Sequence, residues 1–142
     1  MFEWFTLSNV GNGASILGIG LSLYVIYNVR EIRKSYLFTA RAPALLKRLR
    51  SHSARINELL EEFNVSIAEI EAELARCSSI LESLGTKVGR HERRSISLVI
   101  RQINLNNTLS IESRDVVWEI YKELLKVDEE MTNLLKDKLW ER

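Results

Sequence analysis

Residue types that could carry chemistry are few in this sequence and lie far apart. The 142 residues include two histidines, His52 and His91, and one cysteine, Cys77. Metal sites and nucleophile–histidine–carboxylate triads need such groups clustered, and this spacing predicts neither. Glutamates are denser, at Glu58, Glu61, Glu62, Glu69, Glu71 and Glu73. At helical spacing they indicate solvated faces rather than acid–base pairs. We therefore predict no catalytic residue, no metal site, no cofactor and no enzymatic activity.

One basic cluster is a candidate site for polyanions. It consists of Lys87, Arg90, Arg93, Arg94 and Arg101. Such a cluster would suit RNA phosphates or acidic lipid headgroups. The alternative is a single exposed patch on a nearly neutral chain, which has 20 basic and 19 acidic residues and a net charge of +1. Because no aromatic residues interleave for base stacking, the sequence offers little support for a nucleic-acid partner.

An uncharged, mostly apolar run from Trp4 to Val29 determines where in the cell the rest of the chain must lie. A helix needs roughly 20 mostly apolar residues to cross the hydrocarbon core of a bilayer, so this run predicts a transmembrane helix. A cleaved signal peptide would begin with positive charge and end at a small-x-small site, and this run does neither. A buried helix of a soluble protein is the other alternative, but the polar remainder would have to hide a helix that is apolar all round.

The charges around the apolar run predict its orientation. Seven basic residues follow it with Glu31 as the only acid among them, namely Arg30, Arg33, Lys34, Arg41, Lys47, Arg48 and Arg50. Basic residues near a span stay in the cytoplasm. We therefore expect the short N-terminus to lie outside and the C-terminal domain to lie in the cytoplasm. The unpaired Cys77 fits a reducing compartment.

Small residues in the apolar run form two stripes at 100° per residue. One contains Gly11, Ala14, Ser15, Gly18 and Ser22, and the nearly opposite one contains Gly13 and Gly20. Small stripes let helices approach closely in lipid. One stripe suits a dimer, whereas two opposed stripes give each helix the two neighbours that a ring requires. Alternatively, glycine and serine are simply common in membrane helices. Asn12 and Asn28 could contact neighbouring helices or face a wet lumen.

The rest of the chain has helical periodicity, which predicts an all-α fold. We expect an N-terminal segment and transmembrane helix over 1–29, a basic juxtamembrane helix over 30–42, and a cytoplasmic bundle of about four helices over 43–142. Pro43 predicts a kink or a new helix start. Ser66 and Glu69 form a candidate capping box, and Gly85 a candidate left-handed terminator.

Apolar residues at alternating spacings of three and four predict the buried faces of the bundle. The first face has Leu45, Leu49, His52, Ile56, Leu59 and Phe63; the second has Ile67, Ile70, Leu74, Cys77, Leu81 and Leu84; a short helix has Ile96, Val99, Ile100 and Ile103; and the last has Val117, Ile120, Leu124, Val127, Met131 and Leu134. These faces could pack within one chain or between subunits.

The segment from Tyr24 to Leu49, YVIYNVREIRKSYLFTARAPALLKRL, resembles a recurring bacterial arrangement. One membrane helix runs into a basic helix, and a small helical domain follows. It is similar to small membrane proteins of antiviral defence loci, such as the membrane accessory protein of Cas13b-type CRISPR systems. The resemblance implies a ring-forming pore in a bacterial inner membrane, with a degenerate HEPN-like domain. HEPN ribonucleases carry an Arg followed by a His with four to six residues between them, whereas Arg48 and His52 have three between them and Arg90 adjoins His91.

Three functions are consistent with these features. The first is a non-enzymatic, self-associating membrane protein that forms a pore or perturbs the membrane in antiphage defence. The second is a membrane-tethered adaptor whose bundle recruits a cytoplasmic protein. The third is a membrane-bound, HEPN-like RNA-binding domain. The expected partners are accordingly the lipid bilayer and further copies of the chain.

Overall fold

The computed structural model describes the backbone of residues 3–141 and the side chains of residues 11–141. Its elements are α1 (Glu3–Glu61), α2 (Phe63–Gly85), α3 (Arg90–Leu105), a short 3₁₀ helix (Ile111–Ser113) and α4 (Arg114–Trp140). Residues 3–141 contain no strand. The predicted all-α fold is confirmed.

The chain divides into two compact units between Lys34 and Ser35. The first unit consists of the N-terminal part of α1. The second unit, from Ser35 onward, is called the bundle and holds the rest of α1 together with α2, α3 and α4. Within it α2 packs on α3, and α3 packs on α4.

The predicted buried faces of the bundle are confirmed in almost every position. Leu49, Ile56, Cys77, Val99 and Val127 are representative residues that are buried in one continuous core. Five residues of the predicted faces are only partly buried, namely Leu45, His52, Ile67, Ile100 and Leu134. The core also takes in residues outside the predicted faces, namely Phe38, Ala42, Leu46, Leu60, Ile80, Val88 and Leu109. The buried faces in the structure are wider than the predicted stripes, because a helix that packs on a globular core buries a broader surface than a helix in a two-stranded coiled coil.

Pro43 lies inside α1, so no new helix starts there. Proline removes one backbone hydrogen bond and crowds the preceding turn, which disfavours a helix interior. Its ring is exposed, whereas Ala42 and Leu46 on either side are buried in the core. Burial on both sides of Pro43 offsets the lost bond and keeps the chain helical.

The predicted capping box at Ser66 and Glu69 is wrong. α2 begins at Phe63, and a single residue, Glu62, separates it from the end of α1. Glu62 is the N-cap of α2 and makes no side-chain capping hydrogen bond. Ser66 is buried within the helix, and the Glu69 carboxylate is 3.2 Å from Nη2 of Arg55. Burial of Phe63 stabilises helical backbone ahead of the expected start.

Gly85 ends α2, as expected, but without the left-handed conformation. No glycine in the described backbone has a positive φ, and the following Thr86 is right-handed. Side chains bind the last carbonyls of α2 instead: Lys87 Nζ donates to Ser83 O at 2.7 Å, and Arg93 Nε donates to Gly85 O at 3.0 Å. These two cationic side chains donate hydrogen bonds to carbonyl groups at the end of α2 and interact favourably with the helix dipole. A left-handed turn is therefore not needed to satisfy those carbonyls.

Candidate membrane span and polar clusters

α1 contains one stretch that is long and apolar enough to cross a membrane, and none of the residues in that stretch is buried. Large apolar side chains such as Ile16, Leu17, Leu21 and Leu23 are exposed. In the described structure, therefore, this stretch is not a buried core helix, which was the alternative to a transmembrane helix. This helix is a candidate span, and its exposure is compatible with membrane insertion.

The glycines of the apolar run have open space beside them. A Cβ atom built at Gly11, Gly13, Gly18 or Gly20 meets no atom within 4 Å. Packing among the described residues of this chain therefore does not require them to be small. They leave flat helix surfaces on which a second helix could lie.

Two serines of the apolar run, Ser15 and Ser22, satisfy the hydrogen-bond capacity of their hydroxyl groups within the helix. Ser15 Oγ donates to Gly11 O at 3.0 Å, and Ser22 Oγ donates to Gly18 O at 2.8 Å. Such bonds lower the cost of placing a hydroxyl in hydrocarbon, where water cannot replace the partner. Asn12 is exposed and Asn28 is half-buried.

The basic residues after the apolar run lie in different surroundings. Arg30 and Arg33 are exposed, and Lys34 is half-buried. Arg50 belongs to the bundle, where Nε lies 2.9 Å from the Asp128 carboxylate and Nη2 lies 2.6 Å from Thr132 Oγ1. Arg50 thus links α1 to α4 as well as adding to the positive charge.

The candidate polyanion cluster divides into two groups. Lys87 and Arg93 bind the terminal carbonyls of α2 and so have a structural role. Arg90, Arg94 and Arg101 share one exposed face of α3, and no ion pair among the described side chains includes them. These three arginines are available to an external anion.

A polar cluster between α1 and α2 contains the residue types of a catalytic triad. His52 Nδ1 lies within hydrogen-bond distance of Glu73 Oε2, and Arg76 binds the other carboxylate oxygen. Glu73 is buried, so its predicted place on a solvated face is wrong. Burial of this carboxylate without hydrogen-bond partners would be costly, and the His52 ring and the Arg76 guanidinium provide them.

The neighbouring hydroxyl and thiol of this cluster are not placed as nucleophiles. Ser53 is buried and donates to Leu49 O at 2.8 Å. Cys77 is fully buried, and burial raises the pKa of its thiol to about 12. A thiol with that pKa stays protonated near neutral pH, and the thiolate is the reactive form. We assign the cluster a structural role in joining α1 to α2.

A cleft of about 310 Å³ separates α2 from the end of α3. Its polar lining includes Glu71, Ser78 and Asn104. Glu71 Oε1 accepts a hydrogen bond from the backbone N–H of Leu109 at 2.8 Å, so this carboxylate holds the following loop in place. Across the described residues, no group of three or more His, Cys, Asp or Glu side chains is arranged to hold a metal ion.

Sequence reasoning missed the buried Glu73 pair and the exposed C-terminal end of α4. Glu73 lies next to Leu74 and four residues before Cys77, both core positions, and this spacing was the available signal for its burial. The fold and these clusters define an all-helical protein with one candidate span. Searches of protein-family models, curated proteins and solved structures gave no match to this chain.

Proposed function

We propose that this chain is a single-pass membrane protein that self-associates through its apolar run and acts without enzymatic chemistry. The observation that supports the proposal best is that no residue in the apolar window of the candidate span is buried. An exposed apolar helix of this length is costly in water, because burial of apolar surface is the main stabilising term in folding. A bilayer removes that cost.

Self-association is supported by the small residues of the candidate span. Gly11, Gly18, Gly13 and Gly20 have open space on two nearly opposite sides. A helix with two flat sides can contact two neighbours, and repeated head-to-tail contacts close into a ring. Asn12 and Asn28 would then find polar partners or water inside the assembly.

Orientation follows from the positive charges. Arg30, Arg33 and Lys34 directly follow the apolar run, while Glu3 is the only charged side chain before it. By the positive-inside rule the bundle lies in the cytoplasm and the N-terminus outside a bacterial inner membrane. The resemblance of residues 24–49 extends the proposal to a pore-forming or membrane-perturbing effector in antiphage defence.

Gly18→Leu and Ser22→Leu are expected to weaken the assembly. Each adds a large side chain to the stripe where backbones approach, and we expect roughly a tenfold rise in the dissociation constant between helices, or about 1.4 kcal/mol. Light scattering coupled to size-exclusion chromatography would measure the mass of the detergent-solubilised protein. The unsubstituted chain should form six or more subunits.

Leu23→Phe is the matched control, because it adds bulk at a position between the two stripes. It should leave the mass unchanged. A monomer or dimer for the unsubstituted chain would contradict the ring. Unchanged stoichiometry in both stripe variants would contradict this interface.

The exposed face of α3 supports a second candidate function, that of a membrane-tethered adaptor. Its residues are Arg90, Arg94, Leu98, Arg101 and Leu105, and all are exposed. Leu98 and Leu105 form an apolar line flanked by unpaired arginines, which suits a partner helix with acidic residues beside an apolar stripe.

Replacing residues 4–29 with an unrelated transmembrane span separates the two functions. An adaptor needs only attachment, so its activity in cells should survive the replacement. A pore uses the span itself and should lose activity. Phage protection and inner-membrane permeability, measured in the same cells, provide the comparison.

A further inference from the structure

The C-terminal end of α4 lies beside the start of the bundle. Lys138 Nζ is 3.2 Å from Ser35 Oγ and 5.7 Å from the centroid of the Phe38 ring. Phe38 is fully buried, so this contact joins α4 to the core. The last turn of α4 is thereby held next to residues 35–38.

Residues 35–38 lie close in the chain to the candidate span. The Cα atoms of Val29 and Ser35 can be no more than about 22 Å apart even if the connecting segment is fully extended. The end of α4 is therefore confined to the neighbourhood of the point where the chain leaves the apolar run. This limit holds for any arrangement of the two units.

Two apolar side chains at this end of α4 are more than half exposed to solvent within the described structure. Trp140 is 88% exposed and Leu139 is 53% exposed. Tyr36, in the segment that contacts Lys138, is exposed as well. Tryptophan and tyrosine are the residues enriched at membrane–water interfaces, because each has an apolar body and a polar group.

We propose that the end of α4 is a second membrane contact, in which Leu139 and Trp140 enter the headgroup region of the leaflet beside the span. This inference rests on the proposed membrane function. The occupant of this surface is the bilayer, since chain connectivity keeps the surface near the span. The bundle is then attached to the membrane through α4 as well as through the span that precedes it.

The charges around this contact indicate how it binds. Residues 136–142 include three basic residues, Lys136, Lys138 and Arg142, and two acidic ones, Asp137 and Glu141, so their net charge is only +1. Attraction to anionic lipids is therefore not the main force. Burial of the tryptophan ring and the leucine side chain supplies the binding, which should change little with salt concentration.

The three tryptophans of the chain provide the test. Three variants of the full chain each keep one tryptophan, at position 4, 118 or 140, with phenylalanine at the other two. Each is reconstituted in phosphatidylcholine–phosphatidylglycerol vesicles with brominated or ordinary acyl chains. Bromine atoms on the acyl chains quench the fluorescence of a tryptophan that lies in or near the hydrocarbon region.

Trp4 reports insertion of the span, and Trp118 is the control. Trp118 precedes Trp140 by about 33 Å along the axis of α4, at 1.5 Å per residue. It is half exposed and contacts Tyr121, with 5.5 Å between ring centroids. We expect brominated lipid to quench Trp4 and Trp140 and to leave Trp118 emission unchanged.

The other outcomes overturn one or both proposals. Quenching of Trp4 alone would refute the second contact and leave the span intact. Quenching of neither Trp4 nor Trp140 would refute both. Quenching of Trp118 as strong as that of Trp140 would refute a contact confined to the end of α4. Quenching of Trp140 without Trp4 would refute insertion of the span and, with it, a contact in the leaflet beside the span.

Discussion

Two arginines in the middle of the apolar run, Leu17→Arg with Leu21→Arg, are expected to release the protein from the membrane. Each charged side chain costs about 2.5–3.5 kcal/mol at the centre of a membrane helix, and the two leucines also lose their favourable contribution. Leu17 and Leu21 are 75% and 65% exposed, so their replacement leaves the core of the bundle intact. Alkaline extraction of membranes, followed by immunoblotting of pellet and supernatant, measures the effect.

The matched control places the same two charges on the bundle, as Ala54→Arg with Ala72→Arg. Both alanines are exposed on helices of the bundle. This variant should stay in the membrane pellet. A pellet fraction of the Leu17→Arg and Leu21→Arg variant equal to that of the control would contradict membrane insertion of the run.

Leu124→Ala is expected to destabilise the bundle by about 3 kcal/mol. Leu124 is fully buried in the core, and truncation of a buried leucine removes apolar contacts and leaves a cavity. Its neighbour Leu125 is 46% exposed, and Leu125→Ala should cost less than about 1 kcal/mol. Urea unfolding of the full chain in detergent micelles, followed by far-ultraviolet circular dichroism, compares the two.

The pair is informative because the substitutions are chemically identical and adjacent. Only their burial differs, so the difference in free energy of unfolding measures the packing of α4. Equal losses for the two variants would show that α4 does not present Leu124 to a core. That result would also contradict the contacts of Lys138 with Ser35 and Phe38, because they depend on the same packing of α4.

Most of the helical architecture could be predicted, because hydrophobic periodicity is a local signal. Val117, Ile120, Leu124 and Val127 repeat on one face of a helix, and that face is the buried one in the structure. Helix boundaries were harder to predict. The ends of α1 and α2 depend on burial of Phe63 and on side chains such as Arg93, which reach helix termini from elsewhere in the chain.

The candidate sites show the same contrast. The sequence alone identifies the apolar run, its small residues and the positive charges after it, since all of them lie within one short segment of the chain. Pairing of Glu73 with His52, or of Lys138 with Ser35, joins residues on different helices. No periodic pattern encodes such a pairing.

The sequence by itself determined the helical class, the buried faces of the bundle and the existence of one candidate span. These properties depend on the spacing of apolar residues along a single helix. Only the tertiary structure decided that Glu73 is buried, that Lys87 and Arg93 bind the end of α2, and that Trp140 is exposed beside the start of the bundle. Those outcomes depend on which helices meet, because burial and ion pairing are set by neighbours distant in the chain.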